Sequence, residues 1–243
     1  MTPLLLAILL AAPAAAELEK SCDAGEAKAC AELGSDVRDG LGGVRRDLGR
    51  AATLFRKACK GKDPDGCADD ARALALGEGQ PANTKSALPR LEKMCKAGQA
   101  RACGHLGDIF YRGRGRPQDG ARAEELLDKS CKDGWARACT NLSMVSTREG
   151  RGERSEELAE RGCDLGDPIG CSYLGDLYAN SKDSVRATLF FARACEGGMP
   201  HGCAGQGFLL YQSGVDPQRG RDLVRKGCEA GDARACEVLP DMK

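Results

Sequence analysis

Apolar side chains recur along this chain at helical spacing, with small residues set between them. Leu33 and Val37, Leu106 and Phe110, and Leu174 and Tyr178 stand three and seven residues after Cys30, Cys103 and Cys171. The residue following each leucine is Gly34, Gly107 or Gly175. Apolar positions at i, i+3 and i+7 make one buried helical face, and the small residue beside them lets a second helix come close. Weaker copies of this frame carry Asp70, Ala71 and Leu74, then Leu142, Ser143 and Ser146, then Gln206, Gly207 and Leu210. A second apolar pattern precedes each following cysteine. Ala51, Ala87, Ala123, Ser155, Ala187 and Gly220 lie eight residues before it, and Phe55, Leu91, Leu127, Ala159, Phe191 and Val224 lie four before it. Gly77, Gly113, Gly150 and Gly214 fall between the two patterns as turns. The chain therefore reads as a series of helix pairs.

The cysteines set the period. They form seven pairs: Cys22 with Cys30, Cys59 with Cys67, Cys95 with Cys103, Cys131 with Cys139, Cys163 with Cys171, Cys195 with Cys203, and Cys228 with Cys236. Seven residues lie between the partners of every pair. First members recur after 37, 36, 36, 32, 32 and 33 residues, the signature of a helical repeat array. Positions eight apart on one helix are about 12 Å apart, whereas a disulfide needs Cα atoms within about 7 Å. The chain must turn between the partners. Gly25, Gly98, Gly134, Gly166, Gly198 and Gly231 stand three residues after the first cysteine, where a left-handed helix cap belongs. Two residues further on come Ala27, Pro64, Ala100, Ala136, Pro168, Pro200 and Ala233, and proline suits the first turn of a helix. The pair of Cys59 and Cys67 departs from this, with Gly61 only two residues after Cys59. Each bridge would tie the second helix of one unit to the first helix of the next. Zinc is the alternative, but its cysteines stand about two to four residues apart with histidine nearby. This chain has only His105 and His201. Disulfides are the expectation, and they imply an oxidising compartment.

The units fall at about 26–60, 61–97, 98–133, 134–165, 166–197 and 198–230. Residues 17–25 supply the end of a leading helix, and 231–243 a closing helix stopped by Pro240. Pro89 lies inside a second helix and should kink or delay it. A basic residue stands two before each first cysteine: Lys20, Lys57, Lys93, Lys129, Arg161, Arg193 and Lys226. A cation there offsets the negative helix end. The other reading is a stripe that docks an acidic partner.

Composition narrows the picture. Aromatics are 4% of the chain, so helices pack here through Ala, Leu and Gly rather than a bulky core. Lys plus Arg is 36 and Asp plus Glu is 36, without the basic excess of a nucleic-acid binder. Residues 1–16 differ from the rest: an apolar run through Leu4–Leu10, then Pro13 and Ala14–Ala16 before Glu17. This reads as a secretory signal peptide ending in an Ala-x-Ala site, although no basic residue precedes the run. It is too short to span a bilayer. The expected product is soluble and secreted or periplasmic, with residues 17–243 as one repeat domain.

The stretch from Cys103 (Cys-Gly-His-Leu-Gly-Asp-Ile-Phe-Tyr-Arg-Gly-Arg-Gly), with Asp119 through Cys131, resembles the Sel-1-like repeat of the tetratricopeptide superfamily. With its Cys-x7-Cys staples it is most similar to the Helicobacter cysteine-rich proteins, secreted Sel-1-like solenoids with one disulfide per repeat. The resemblance covers nearly all of 20–239. The second unit (Gly61, Asp70) and the fourth (Ser143, Ser146) fit least well. It implies an all-α fold, a right-handed α/α superhelix of about six helix pairs, with first helices lining the concave face. It also implies a protein- or peptide-binding adaptor. Some cysteine-rich members are described as penicillin-binding, weak β-lactamases, and a hydrolase of that type is the alternative.

Against an enzyme, the sequence has no Ser-x-x-Lys, no Lys-Thr-Gly, no Gly-x-Ser-x-Gly and no phosphate-cradling glycine loop. Two isolated histidines make no metallo-enzyme cluster. No cofactor or metal is expected. The Asn141-Leu-Ser143 sequon falls inside a helix. For a binding groove the candidates are Tyr111, Arg112, Trp135, Tyr178 and Tyr211. The competing reading is that these side chains pack repeats together.

Overall fold

The computed structural model describes residues 15–114 and 116–242. The expected leader therefore lies outside the described residues, apart from Ala15 and Ala16. Among the described residues there are fourteen α-helices and no strand. They are α1 (Ala15–Asp23), α2 (Ala27–Asp39), α3 (Leu48–Lys60), α4 (Pro64–Leu76), α5 (Thr84–Lys96), α6 (Ala100–Arg112) and α7 (Gly120–Lys132). Then come α8 (Ala136–Arg148), α9 (Gly152–Asp164), α10 (Pro168–Asn180), α11 (Ser184–Glu196), α12 (Pro200–Ser213), α13 (Pro217–Glu229) and α14 (Ala233–Val238). None of the described helices is long and apolar enough to cross a membrane.

The cysteine frame sets the helix ends. Odd-numbered helices stop one residue past the first cysteine of a pair. Even-numbered helices start at the Ala or Pro three residues before the second. In every such turn the fourth residue after the first cysteine donates its N–H to the residue just before that cysteine. Glu26 to Ser21 (3.0 Å) and Met199 to Ala194 (2.9 Å) are examples. This six-to-one bond is the Schellman closure, and it needs a left-handed residue inside it. Six glycines supply that residue, with φ from 78° at Gly198 to 102° at Gly231. In the second unit Lys62 does so with φ 65°, while Gly61 stays at −76°. The departure read at this turn is thus one of sequence only, because the backbone keeps the same path. A side chain in that region costs about 1–2 kcal/mol, so Lys62→Gly should raise stability by about 1 kcal/mol in denaturant unfolding.

All seven cysteine pairs are joined across these turns. Cys22 is bonded to Cys30, Cys59 to Cys67, Cys95 to Cys103 and Cys131 to Cys139. Cys163 is bonded to Cys171, Cys195 to Cys203 and Cys228 to Cys236. The Cα–Cα distances lie between 4.3 and 4.7 Å, and among the described residues no cysteine is free. Within three of the helix pairs the small residue meets a large one opposite. A Cβ on Gly34 would lie 2.6 Å from the Phe55 ring, one on Gly107 2.7 Å from Leu127, and one on Gly175 2.4 Å from Phe191. Two irregular positions are resolved locally. Asp70, where the frame wants an apolar residue, pairs with Arg90 at 2.9 Å. Ser143 bonds Ser155 at 3.1 Å, and Thr147 and Tyr173 complete that hydroxyl cluster.

Pro89 lies inside α5, which runs unbroken from Thr84 to Lys96. Pro89 and Lys85, whose carbonyl loses its partner, both lie on the exposed side of the helix. Water can take up the freed carbonyl there. At the other end, α14 stops at Val238 and the chain tightens into a 3₁₀ turn, Leu239–Asp241, across Pro240. Three members of the basic ladder reach the preceding unit or their own helix end. Lys57 meets Asp23 at 3.2 Å, Arg193 meets Asp164 at 2.9 Å, and Lys129 meets Asp133 at 2.6 Å.

The solenoid curves back on itself. The loop between α2 and α3 crosses the inner face, where Gly42 N–H donates to the Gly198 carbonyl at 3.2 Å. A Cβ on Gly198 would lie 2.4 Å from the Gly42 nitrogen, so the backbones touch directly. At the foot of the loop, Asp39 meets Arg137 of α8 at 3.1 Å, across 98 residues of sequence.

Candidate functional site

Even-numbered helices line the inner face, and their charged residues form one connected array. At its base Asp69 of α4 has a fully enclosed side chain. It accepts hydrogen bonds from Arg38 Nη1 (2.9 Å), Arg101 Nη1 (2.6 Å) and His105 Nε2 (2.8 Å). Arg38 also grips Asp39 with Nε and Nη2, at 2.9 and 2.8 Å. Arg137 joins Asp39 to Asp167, donating its Nε to both Asp167 oxygens at 3.0 and 2.9 Å. Asp167 in turn caps α10 through the Ile169 N–H. Four successive units and the start of a fifth are thereby tied together.

Burial and pairing compete at each of these groups. Burial alone would raise the Asp69 carboxyl. The His105 hydrogen bond and the Arg38 and Arg101 charges outweigh it and hold that carboxyl well below the usual range. Burial pushes the His105 imidazole down to about 4, despite the pull of Asp69. The histidine is therefore neutral at pH 7 and donates from Nε2. Burial, then the charge of Arg38, also lowers Arg72. At the loop edge Asp36 is raised to about 6 by burial and by the neighbouring Asp39 and Glu32 charges.

Above this base lies an open groove of about 260 Å³, walled by Arg46, Arg72, Arg112, Arg137, Trp135 and Met144, among others. Trp135, the N-cap residue of α8, lies over Gly104, where a Cβ would meet the indole at 2.2 Å. Its ring meets the His105 ring edge-on, with centroids 4.9 Å apart. A second compartment of about 140 Å³ shares Asp108, Arg112, Asn141 and Met144 with the first and adds Tyr111, Leu127, Val145 and Arg148.

Of the five residues singled out from sequence, three meet here. Tyr111, Arg112 and Trp135 border one continuous groove, and Arg148 stands 5.5 Å over the Tyr111 ring. Tyr178 does not join them. It is 4% exposed, stacks on Phe190 at 5.4 Å, and its hydroxyl is held by Glu156. Its place seven residues after Cys171 puts it on the apolar face, and packing wins. Tyr211 lies against Val224 and Gly220 of the last helix pair, away from the groove. Sequence reasoning missed Arg38, Asp69, Arg72 and Arg137. One signal was available: Arg101, Arg137 and His201 each stand two residues before a second cysteine, Cys103, Cys139 and Cys203. From there Arg137 and His201 reach the N-cap aspartates of the next unit, Asp167 and Asp232 (3.2 Å). Among the described residues no cluster of three or more His, Cys, Asp or Glu could hold a metal ion.

Stacked helix pairs with a grooved inner face define a helical-repeat solenoid. Residues 27–63, 100–135, 168–199 and 204–232 match the model of the Sel1 repeat, more than half of the chain, and the chain belongs to the Sel1 repeat family. The stretches between the first three matches fall on the second and fourth units, where the frame carries Asp70 and Ser143. No curated protein matches the chain. Among solved structures, a Sel1 repeat protein from Oxalobacter formigenes is similar, with TM-score 0.63 and 22% identity over 93% of this chain and 68% of that one. A protective antigen of uropathogenic Escherichia coli strains, displaying an SLR fold, aligns with TM-score 0.61 and 19% identity over 95% of this chain. The chain spans 59% of that antigen's length. At such identities the likeness concerns the fold.

Proposed function

We propose that this chain is an exported scaffold that holds a protein or peptide ligand in its inner groove. The observation that carries this reading is the convergence of Tyr111, Arg112 and Trp135 on one open groove, over a base too rigidly paired to rearrange. Aromatic and arginine side chains are the types that dominate binding hot spots. Seven disulfides suit an oxidising, extracytoplasmic compartment, with residues 1–16 as the leader and 17–243 as the repeat domain. The Cys-x7-Cys staples favour a place beside the secreted Helicobacter cysteine-rich proteins. No observation favours the hydrolase alternative.

The test is a pull-down with the oxidised chain against an extract of the exported proteins of its host, run beside Trp135→Ala and Arg112→Glu variants. The expected result is a partner retained by the parent and lost from both variants, with unchanged helical circular dichroism. Retention that ignores both substitutions would remove the groove from the function. Intact mass should show the loss of residues 1–16, and a retained leader would sink the export reading.

A further inference from the structure

The charges in the groove wall do not balance, and the surplus has a direction. Arg38, Arg46, Arg72, Arg112 and Arg137 line it, against Asp39, Glu78 and Asp108. All three acids are already engaged. Asp39 is held by Arg38 and Arg137, Glu78 by Arg72 at 2.6 Å, and Asp108 by Arg112 at 2.6 Å. The deeper Asp69 and Asp167 are saturated by the donors that reach them. Arg46 spends its Nε on the Arg38 carbonyl (3.0 Å), and Arg112 spends its Nε on Asp108. The Nη groups of both donate to no protein atom among the described residues, and both side chains stand at the solvent edge. Two guanidinium forks from distant units thus border one cavity with their outer donors free.

We propose that the groove takes a side-chain carboxylate of a peptide ligand between Arg46 and Arg112, with an apolar neighbour of that residue lodged in the adjoining compartment. This rests on the scaffold reading and names its ligand chemistry. A planar guanidinium matches a carboxylate with two parallel hydrogen bonds. Beside the forks the second compartment offers an apolar patch from Met144, 39% exposed, with Leu127, Val145 and Tyr111, set among Asp108, Asn141 and Arg148. An isolated oxyanion would leave that compartment empty, whereas an acidic residue followed by an apolar one fills both.

The chain carries one tryptophan, Trp135, and it lines the groove, so its fluorescence reports on this site alone. The experiment titrates N-acetyl-Leu-Glu-Leu-amide, the same peptide with Gln for Glu, and inorganic phosphate, all at constant ionic strength. The expected result is a saturable change with the Glu peptide and affinity about tenfold weaker for the Gln peptide, the step one charge-assisted hydrogen bond makes. Arg46→Gln and Arg112→Gln should each weaken the Glu peptide severalfold, with unchanged circular dichroism. Equal response to both peptides, no saturation, or indifference to both substitutions would overturn the proposal. Saturation by phosphate alone would overturn it too, in favour of an oxyanion site. A negative titration beside a groove-dependent pull-down would fault this inference only. Failure of the pull-down beside a positive titration would fault the scaffold reading only.

Discussion

Full reduction of the seven disulfides is expected to leave a chain with no cooperative thermal transition. Each bridge closes a loop of nine residues, which the chain-entropy model values at about 2.6 kcal/mol. Domains of this size are stable by only about 5–15 kcal/mol, so losing even half of the bridges would consume the margin. The solenoid is poorly placed to compensate. Its fully buried side chains include many alanines, and its aromatic content is 4%. Helix pairs contact only their neighbours over most of their surface, so stability is close to a sum of local terms. Melting followed by circular dichroism, with and without reductant, reads this directly. A transition that survives reduction within a few degrees would show that packing alone holds the fold. Replacing one pair, Cys131→Ser with Cys139→Ser, should cost about 2–4 kcal/mol.

Asp69→Asn is the second large effect expected. The neutral amide takes from Arg101 its near partner, leaving only the exposed Asp65 at 3.6 Å, and strips one arm of the buried Arg38, which costs about 3–5 kcal/mol. Arg101→Gln should cost less, because Arg101 is 22% exposed and Asp69 keeps two other donors. Denaturant unfolding at pH 7 compares the two, and equal losses would sink the account of Asp69 as the hub. The same hub predicts acid sensitivity. The His105 imidazole is lowered to about 4 when folded, so the unfolded chain takes up this proton first. Its contribution falls as pH drops from about 6.5 to about 4. Asp69, also lowered, contributes above about pH 3.9 and is lost below it. Two groups act in the opposite sense. Asp36, raised to about 6, favours the folded state as pH falls. His201, raised chiefly by its bond to Asp176, contributes at low pH and loses its effect as pH rises through its folded value. A His105→Gln variant should therefore flatten the decline between about pH 6.5 and 4.

Helix boundaries were legible in the sequence because one covalent constraint recurs with one spacing. The cysteines locate each Schellman turn, and Ala or Pro marks each restart, so seven helix starts were readable before any coordinates. Two local features have causes that spacing does not encode. Lys62 takes the left-handed position because the disulfide between Cys59 and Cys67 and the six-to-one bond fix the turn regardless of residue type. Pro89 is tolerated because its face of α5 is exposed. The site was half legible. Tyr111, Arg112 and Trp135 are local features that happen to converge. The array around Asp69 depends on curvature accumulated over several units. Asp39 and Arg137 are 98 residues apart, and no periodic pattern in the chain announces that they meet.

The staples hold α1 to α2, α3 to α4, and so on to α13 and α14, whereas the close packing of Gly34 on Phe55 and Gly175 on Phe191 is within α2–α3 and α10–α11. Covalent unit and packing unit are therefore half a repeat out of phase. A protease that cuts any Cys-x7-Cys turn releases nothing until reductant is added. A cut in the turn after α6 or α8 parts the backbone, yet leaves both fragments clasped through the helices on either side. On a non-reducing gel the two kinds of nick separate cleanly, although in solution neither need change the shape of the groove.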